Sequence, residues 1–192
     1  QYKTAEEWMA QIYHAANDSK LRFGFFSSGS LGKPKQVWHL KHHLIEERDF
    51  WLAFTQAKGV VCLSPVRHIY GFIWGLLLGT KLNQAHYLDM HEWHKVTEYA
   101  SETDLIVAHP TAWQQLSPPF YHCMGISSTA PIERSVTDQL LKQQVRGMNI
   151  YGSTETGAIA WQYWEDDEFH LLPYWKRHKE GLTRGKQYFE IP

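Results

Sequence analysis

Cysteine is scarce: Cys62 and Cys123 are the only two in 192 residues, far apart and each in apolar surroundings. That excludes a disulfide scaffold and offers no paired metal-ligand spacing, so both are expected as buried thiols, in keeping with a reducing cytosol. Long apolar runs are missing as well. The longest mostly apolar stretch, residues 70–79, is too short to cross a bilayer as a helix, and no basic start followed by an apolar core marks a leader peptide. Charge of one sign is lacking, since 19 Lys and Arg against 20 Asp and Glu leave a net −1. A near-neutral chain has no electrostatic footprint for nucleic acid or an anionic membrane. Low-complexity tracts, Pro-rich linkers and internal repeats are absent too. The expectation is a soluble, cytoplasmic protein with neither nucleic-acid nor membrane partners. An initiator methionine is missing at Gln1, and residues 189–192 read like a strand, so the chain is expected to belong to something longer.

Apolar and aromatic residues are what the chain has in quantity: 43% hydrophobic, with 9 Trp, 10 Tyr and 9 Phe. This length supports one domain with a sizeable core. Ala5, Trp8, Met9, Ile12 and Tyr13 predict a helix in the first twenty residues. Strands are then expected at 21–26 and 36–40 around a Ser/Gly loop. A helix over 41–55 follows, with Leu44, Phe50, Trp51 and Phe54 facing inward. Further on, strands at 60–63, 85–88, 105–108, 124–127 and 148–151 alternate with helices at 70–78, 92–99, 111–116 and 132–144. Such alternation predicts an α/β layered domain with a mixed, partly parallel sheet flanked by helices. After Ala158, acidic turns separate aromatic segments that read as antiparallel strands closing that sheet, the last at 187–191.

Two segments carry chemistry. The loop SSGSLGKPK, from Ser27 to Lys35, combines small residues that let backbone approach a ligand with hydroxyls, N–H donors and a lysine, as a triphosphate requires. It is not a Walker A loop: Gly29 and Gly32 stand too close together, and Lys33 is followed by Pro34. The string YGSTE, Tyr151 to Glu155, joins an aromatic face, hydroxyls and a carboxylate able to hold a hard cation. Between them lie His68-Ile69-Tyr70-Gly71, Ala108-His109-Pro110-Thr111 and Thr129-Ala130-Pro131.

In sequence and order these motifs, spanning roughly residues 23–160, resemble the core motifs of the AMP-forming adenylating superfamily, which includes acyl- and aryl-CoA synthetases, peptide-synthetase adenylation domains and luciferases. The resemblance implies the central subdomain of the N-terminal domain of such an enzyme. ATP and Mg²⁺ would be bound, and a small carboxylic acid activated to acyl-AMP; apolar Tyr70, Phe72 and Trp74, directly after His68, would suit an aromatic or medium acyl acid. Transfer to CoA or to the phosphopantetheine of a carrier protein would follow. By the same resemblance Ser27, Ser28, Gly29, Ser30 and Gly32 would wrap the β- and γ-phosphates with Lys35 nearby. Thr129, Ala130 and Pro131 would border the adenine and Tyr151 would lie against its ring, with Gly152 and Ser153 beside it. Thr154 would bond the α-phosphate, Glu155 would coordinate Mg²⁺, and His68 would line the mouth for the acid. Attack of an ionised carboxylate on phosphorus needs positioning and charge neutralisation rather than a general base. In keeping with that, no GxSxG elbow occurs.

Leu31 stands where the family usually has a hydroxyl, and Gln36 where glycine commonly follows the lysine. The family's Thr-Gly-Asp ribose-binding segment and mobile C-terminal domain are not among these residues. An alternative is therefore a nucleotide-binding or scaffold module without turnover, or a core completed by another chain that supplies the missing segments; an acyl carrier protein is the other partner that the resemblance allows. The 12 histidines raise a metal reading, with His39, His42 and His43 clustered and His91 and His94 three apart, but His91-Glu92-Trp93-His94 is one residue short of HExxH and no third ligand is evident, which favours ordinary surface or capping histidines.

Overall fold

Apolar residues on both faces of consecutive short strands dictate a sheet covered on two sides, and the computed structural model, which describes residues 22–27, 34–116 and 123–190, contains one. Its seven strands are β3 (Gly59–Cys62), β4 (Gln84–Tyr87), β5 (Asp104–Ala108), β6 (Met124–Ser127), β7 (Arg146–Ser153), β8 (Gly157–Tyr163) and β9 (His170–Leu171), in the order β4-β3-β5-β6-β7-β8-β9. The first five in that order run parallel, while β8 and β9 add antiparallel at one edge. Alternation along the strands divides the core. Val60, Cys62, Leu105 and Val107 face one layer, and Val61, Leu63, Ile106 and Ala108 face the other.

The first layer holds α1 (Lys41–Thr55) and a wholly buried helical segment, α2 (Ile69–Gly71) running into a π-helical stretch at Phe72–Leu77. Trp51 of α1 and Trp74 of that stretch meet with ring centroids 4.7 Å apart. Helix α1 stops where Gln56 turns left-handed at φ 51 and its N–H bonds the Leu52 carbonyl. Opposite lie α3 (Val96–Tyr99), α4 (Pro110–Trp113) and α5 (Arg134–Lys142), whose Val96, Trp113 and Leu140 fill the second cluster. Residues 92–99, expected as one helix, divide into a 3₁₀ segment at Met90–Lys95 and α3, kinked at Glu92.

Preceding the sheet, β1 (Arg22–Ser27) and β2 (Lys35–Leu40) form an antiparallel ribbon. The chain ends in β10 (Lys176–His178), β11 (Gly181–Arg184) and β12 (Gln187–Glu190), a separate antiparallel sheet. The expectation that all strands after Ala158 close the main sheet therefore holds only for β8 and β9. The last three turn back instead, because Trp175, Leu182 and Phe189 pack into the α1 side of the core. The helix expected in the first twenty residues lies outside the described residues. Cys62 and Cys123 are free and buried; burial raises the first thiol to about 12 and the second to about 11.

Candidate active site

In an open α/β sheet, ligands bind outside the carboxyl ends of the parallel strands. A cavity of about 280 Å³ lies there, lined by His68 beyond β3, Ser128 and Thr129 beyond β6, Gly152 to Thr154 at the end of β7, and Gly157 and Ala158 opening β8. Its apolar wall comes from Ile69, Tyr70, Ile73, Trp74 and Ile150. Tyr70 and Trp74 lie one helical turn apart and share this face, whereas Phe72 turns away to pack on Phe23 and Phe25. The Tyr70 hydroxyl donates to the Ile126 carbonyl at 2.8 Å, fastening the helix to the end of β6. Thr129, which lines the cavity, takes φ 81, a costly conformation for a β-branched residue.

The turn from β7 to β8 is built from its own hydroxyls. Thr156 Oγ1 accepts the Ser153 N–H at 3.0 Å and donates to the Gly157 carbonyl at 2.8 Å, while Ser153 Oγ accepts the Glu155 N–H at 3.1 Å. Gly157 completes the reversal at φ 69. This presents Thr154 to the first cavity and Glu155 to a second, about 310 Å³, which Lys35, Gln36, His39 and His43 also line. A carboxylate, a lysine and hydroxyls are the donor set that a magnesium-bound triphosphate uses, hard oxygen for the cation and positive charge for the phosphates.

Of the residues proposed from sequence, His68, Thr129, Gly152, Ser153 and Thr154 share the first cavity, and Lys35 and Glu155 the second. Ser27 ends β1, its Oγ donating to the Lys35 carbonyl at 3.5 Å. Ala130 and Pro131 are exposed beside Thr129 but do not line the cavity. Tyr151 is exposed too, its ring edge-on to Phe169 at 5.9 Å. Ser28, Gly29, Ser30 and Gly32 lie outside the described residues. Burial, then the charge of Arg67, lowers the His68 pKa, which favours its neutral form.

Sequence reasoning missed Glu47, His39 and Arg184. Glu47 lines the first cavity from α1 and is only 2% exposed. Both its carboxylate oxygens accept the Ala158 N–H at 3.2 Å, and Arg184 Nη1 stands 3.9 Å away. Desolvation pushes its pKa up to about 7 against the opposing pull of Arg184 and the Ala158 N–H. Trp51 Nε1 and Tyr174 Oη also favour the ionised form, though both fall short of hydrogen-bond geometry. A signal existed: Leu44, Glu47 and Trp51 fall on one helical face, so a glutamate stands amid core positions. Among the described residues no group of three or more His, Cys, Asp or Glu is placed to hold a metal, and Glu92 pairs with Lys95 at 2.7 Å.

A mostly parallel open sheet with a cavity at the carboxyl ends of its parallel strands, bordered by a hydroxyl-rich turn carrying a carboxylate, defines an α/β domain with a candidate ligand site at the usual edge. The chain belongs to the family of AMP-binding enzymes, whose family model matches residues 2–178. It is 32% identical to a 4-coumarate–CoA ligase of Cereibacter sphaeroides over 93% of this chain and 46% of that protein. It is 29% identical to a 4-coumarate–CoA ligase of Halorhodospira halophila over 87% of this chain and 44% of that one. Thus it spans about half the length of the curated relatives it matches. Among solved structures, an AMP-forming acyl-CoA synthetase/AMP-acid ligase II-like protein from Dyadobacter fermentans superposes with TM-score 0.72 at 16% identity, covering 95% of this chain and 58% of that one. O-succinylbenzoate coenzyme A synthetase from Bacillus subtilis, in complex with ATP and magnesium, superposes with TM-score 0.61 at 17% identity over 74% and 32%. The fold is therefore that of the adenylate-forming enzymes' N-terminal domain.

Proposed function

We propose that this chain is the nucleotide-binding core of an AMP-forming acyl- or aryl-acid ligase. One observation carries the reading: Thr154 and Glu155, adjacent on a single turn, separate an apolar-walled cavity from one containing Lys35. The first suits the body of an organic acid, the second the departing phosphates. A carboxylate oxygen of the acid attacks the α-phosphorus of ATP, the α–β phosphoanhydride bond breaks, and pyrophosphate leaves. The thiol sulfur of CoA or of a carrier protein then attacks the acyl carbon, releasing AMP and forming the thioester. Thr154 bonds the α-phosphate, Lys35 offsets phosphate charge, and Glu155 holds Mg²⁺, which supplies charge neutralisation when bound. Thr129, Ala130, Pro131 and Tyr151 border the base, and neutral His68 lines the mouth for the acid. The 4-coumarate–CoA ligase names of the relatives favour an aromatic acid and CoA.

The test is acid-dependent ATP–pyrophosphate exchange by the full-length protein across a panel of aromatic and medium-chain acids. Exchange with an aryl acid is expected. Binding of MgATP without exchange on any acid would instead make this a nucleotide-binding module without turnover.

A further inference from the structure

The Thr154–Thr156 turn is gripped from outside at both ends. On one side the His39 Nε2–H donates to the Thr154 carbonyl at 2.6 Å. On the other, Glu47 accepts the Ala158 N–H, its Oε2 lying 2.7 Å from where a side chain on Gly157 would begin. The hairpin's register shifts between Tyr151 and Gly152, just before the turn. His39 is the penultimate residue of β2 and Glu47 sits eight residues on in α1, so one continuous stretch of chain holds both ends.

That piece is itself anchored. Arg184 of β11 donates from Nε and Nη2 to Glu46 Oε2 at 3.2 and 2.8 Å, and from Nη2 to the His43 carbonyl at 2.6 Å, with its guanidinium 4.0 Å from the Tyr174 ring centroid. Of these side chains Arg184 lines neither cavity, whereas His39 also borders the second and Glu47 the first. We propose that Glu47 and His39 are positioning residues for the nucleotide turn, clamping its two ends through the Ala158 amide and the Thr154 carbonyl so that Thr154 and Glu155 are pre-set for MgATP. This deepens, and rests on, the adenylation reading.

Pre-organisation through the backbone makes distinctive predictions. Replacing Glu47 by leucine keeps its bulk but leaves the Ala158 N–H without an acceptor, whereas glutamine keeps an acceptor oxygen. His39→Phe keeps the ring that packs edge-on against Phe25 at 5.8 Å and removes the donor. In calorimetric titrations of the full-length protein with MgATP, E47L and H39F are each expected to bind about tenfold more weakly, with E47Q recovering most of the loss. In pyrophosphate exchange, the KM for ATP should rise while the KM for the acid stays within about twofold. A role confined to stability would lower the melting temperature without moving this split, and a direct contact with the acid would move the acid KM instead. Either result overturns the proposal, as does a glutamine variant that binds as weakly as leucine. Should E47L fail to fold, H39F alone decides: binding of MgATP as tight as wild type refutes the clamp. Failure of the wild-type protein to bind MgATP would refute the adenylation reading itself, and the clamp with it.

Discussion

Glu155 and Thr129 illustrate how much a single residue contributes at this site. Glu155 offers the carboxylate of the β7–β8 turn to the cavity that Lys35 also lines. Replacing it by alanine is expected to leave melting unchanged, because the carboxylate makes no contact that the turn's own hydroxyl bonds require. Affinity for MgATP should fall at least about tenfold while affinity for metal-free ATP hardly changes, since a direct oxygen ligand contributes only when the cation is present. Calorimetry with Mg²⁺ and with EDTA measures both; equal losses in the two conditions would contradict the assignment. Thr129 works through its backbone. Its φ of 81 costs about 1–2 kcal/mol for an L-residue, which glycine avoids. Thr129→Gly should therefore raise the denaturant midpoint, reflecting a stability gain of up to roughly 1 kcal/mol once glycine's own entropy is subtracted. A lower midpoint would show that the conformation is not strained.

At the scale of elements, the π-helical segment at Phe72–Leu77 is held against β3 by close approach. A methyl on Gly75 would lie 2.7 Å from Cys62 Sγ and 3.1 Å from its Cβ, too near for either to remain in place. Gly75→Ala is expected to cost about 1–3 kcal/mol by overpacking. Cys62→Ala, which removes the sulfur, should return most of that in the double variant, and a thermodynamic cycle from chemical denaturation reads the coupling. The same scale shows what was legible in sequence. Strands β3 and β5 could be read because burial on both faces leaves continuous apolar runs, and the helix after His68 because it is apolar all round. His68, Thr129 and Gly152 to Thr154, which line one cavity, could be singled out because each lies in a short local motif that resembles the family's in type and order. The clamp could not, since its bonds join residues 115 and 111 apart, and nothing local distinguishes Glu47 from a surface glutamate except its place among core positions. The separate β10–β12 sheet was misjudged for a related reason: strand patterning gives a strand's inward face but not which of two sheets it joins.

On the scale of the whole molecule, buried ionisable groups beneath the site join the terminal sheet to the main core, and they fix how stability varies with pH. Glu47 is faced by Arg184, by the Ala158 N–H, and by the polar groups of Trp51 and Tyr174; His43 is faced by Arg184, His42, Glu46 and His39. Their shifts oppose. Glu47 titrates at about 7 in the fold against 4.5 when exposed, so the fold binds its proton more tightly, and its contribution, complete below pH 4.5, is lost as pH rises through 7. His43, lowered by burial and then Arg184 from 6.5 to about 4, contributes above pH 6.5 and loses that contribution as pH falls through 4. Between 4.5 and 6.5 the two partly cancel, which hides both in the wild-type melting curve. Glu47→Gln removes one of them, because an amide does not ionise yet still accepts from Ala158. Melting temperature measured on E47Q and wild type from pH 5 to 8 should therefore diverge in one direction only, E47Q gaining relative to wild type as pH rises and levelling above 7. Arg184→Met makes the complementary case: it leaves a buried carboxyl without its cation, is expected to cost about 3–5 kcal/mol at pH 8, and should cost less at pH 5, where Glu47 takes up a proton. A constant difference across that range in both variants would mean that Glu47 does not titrate near neutrality, and that the link between the terminal sheet and the β7–β8 turn does not depend on its charge.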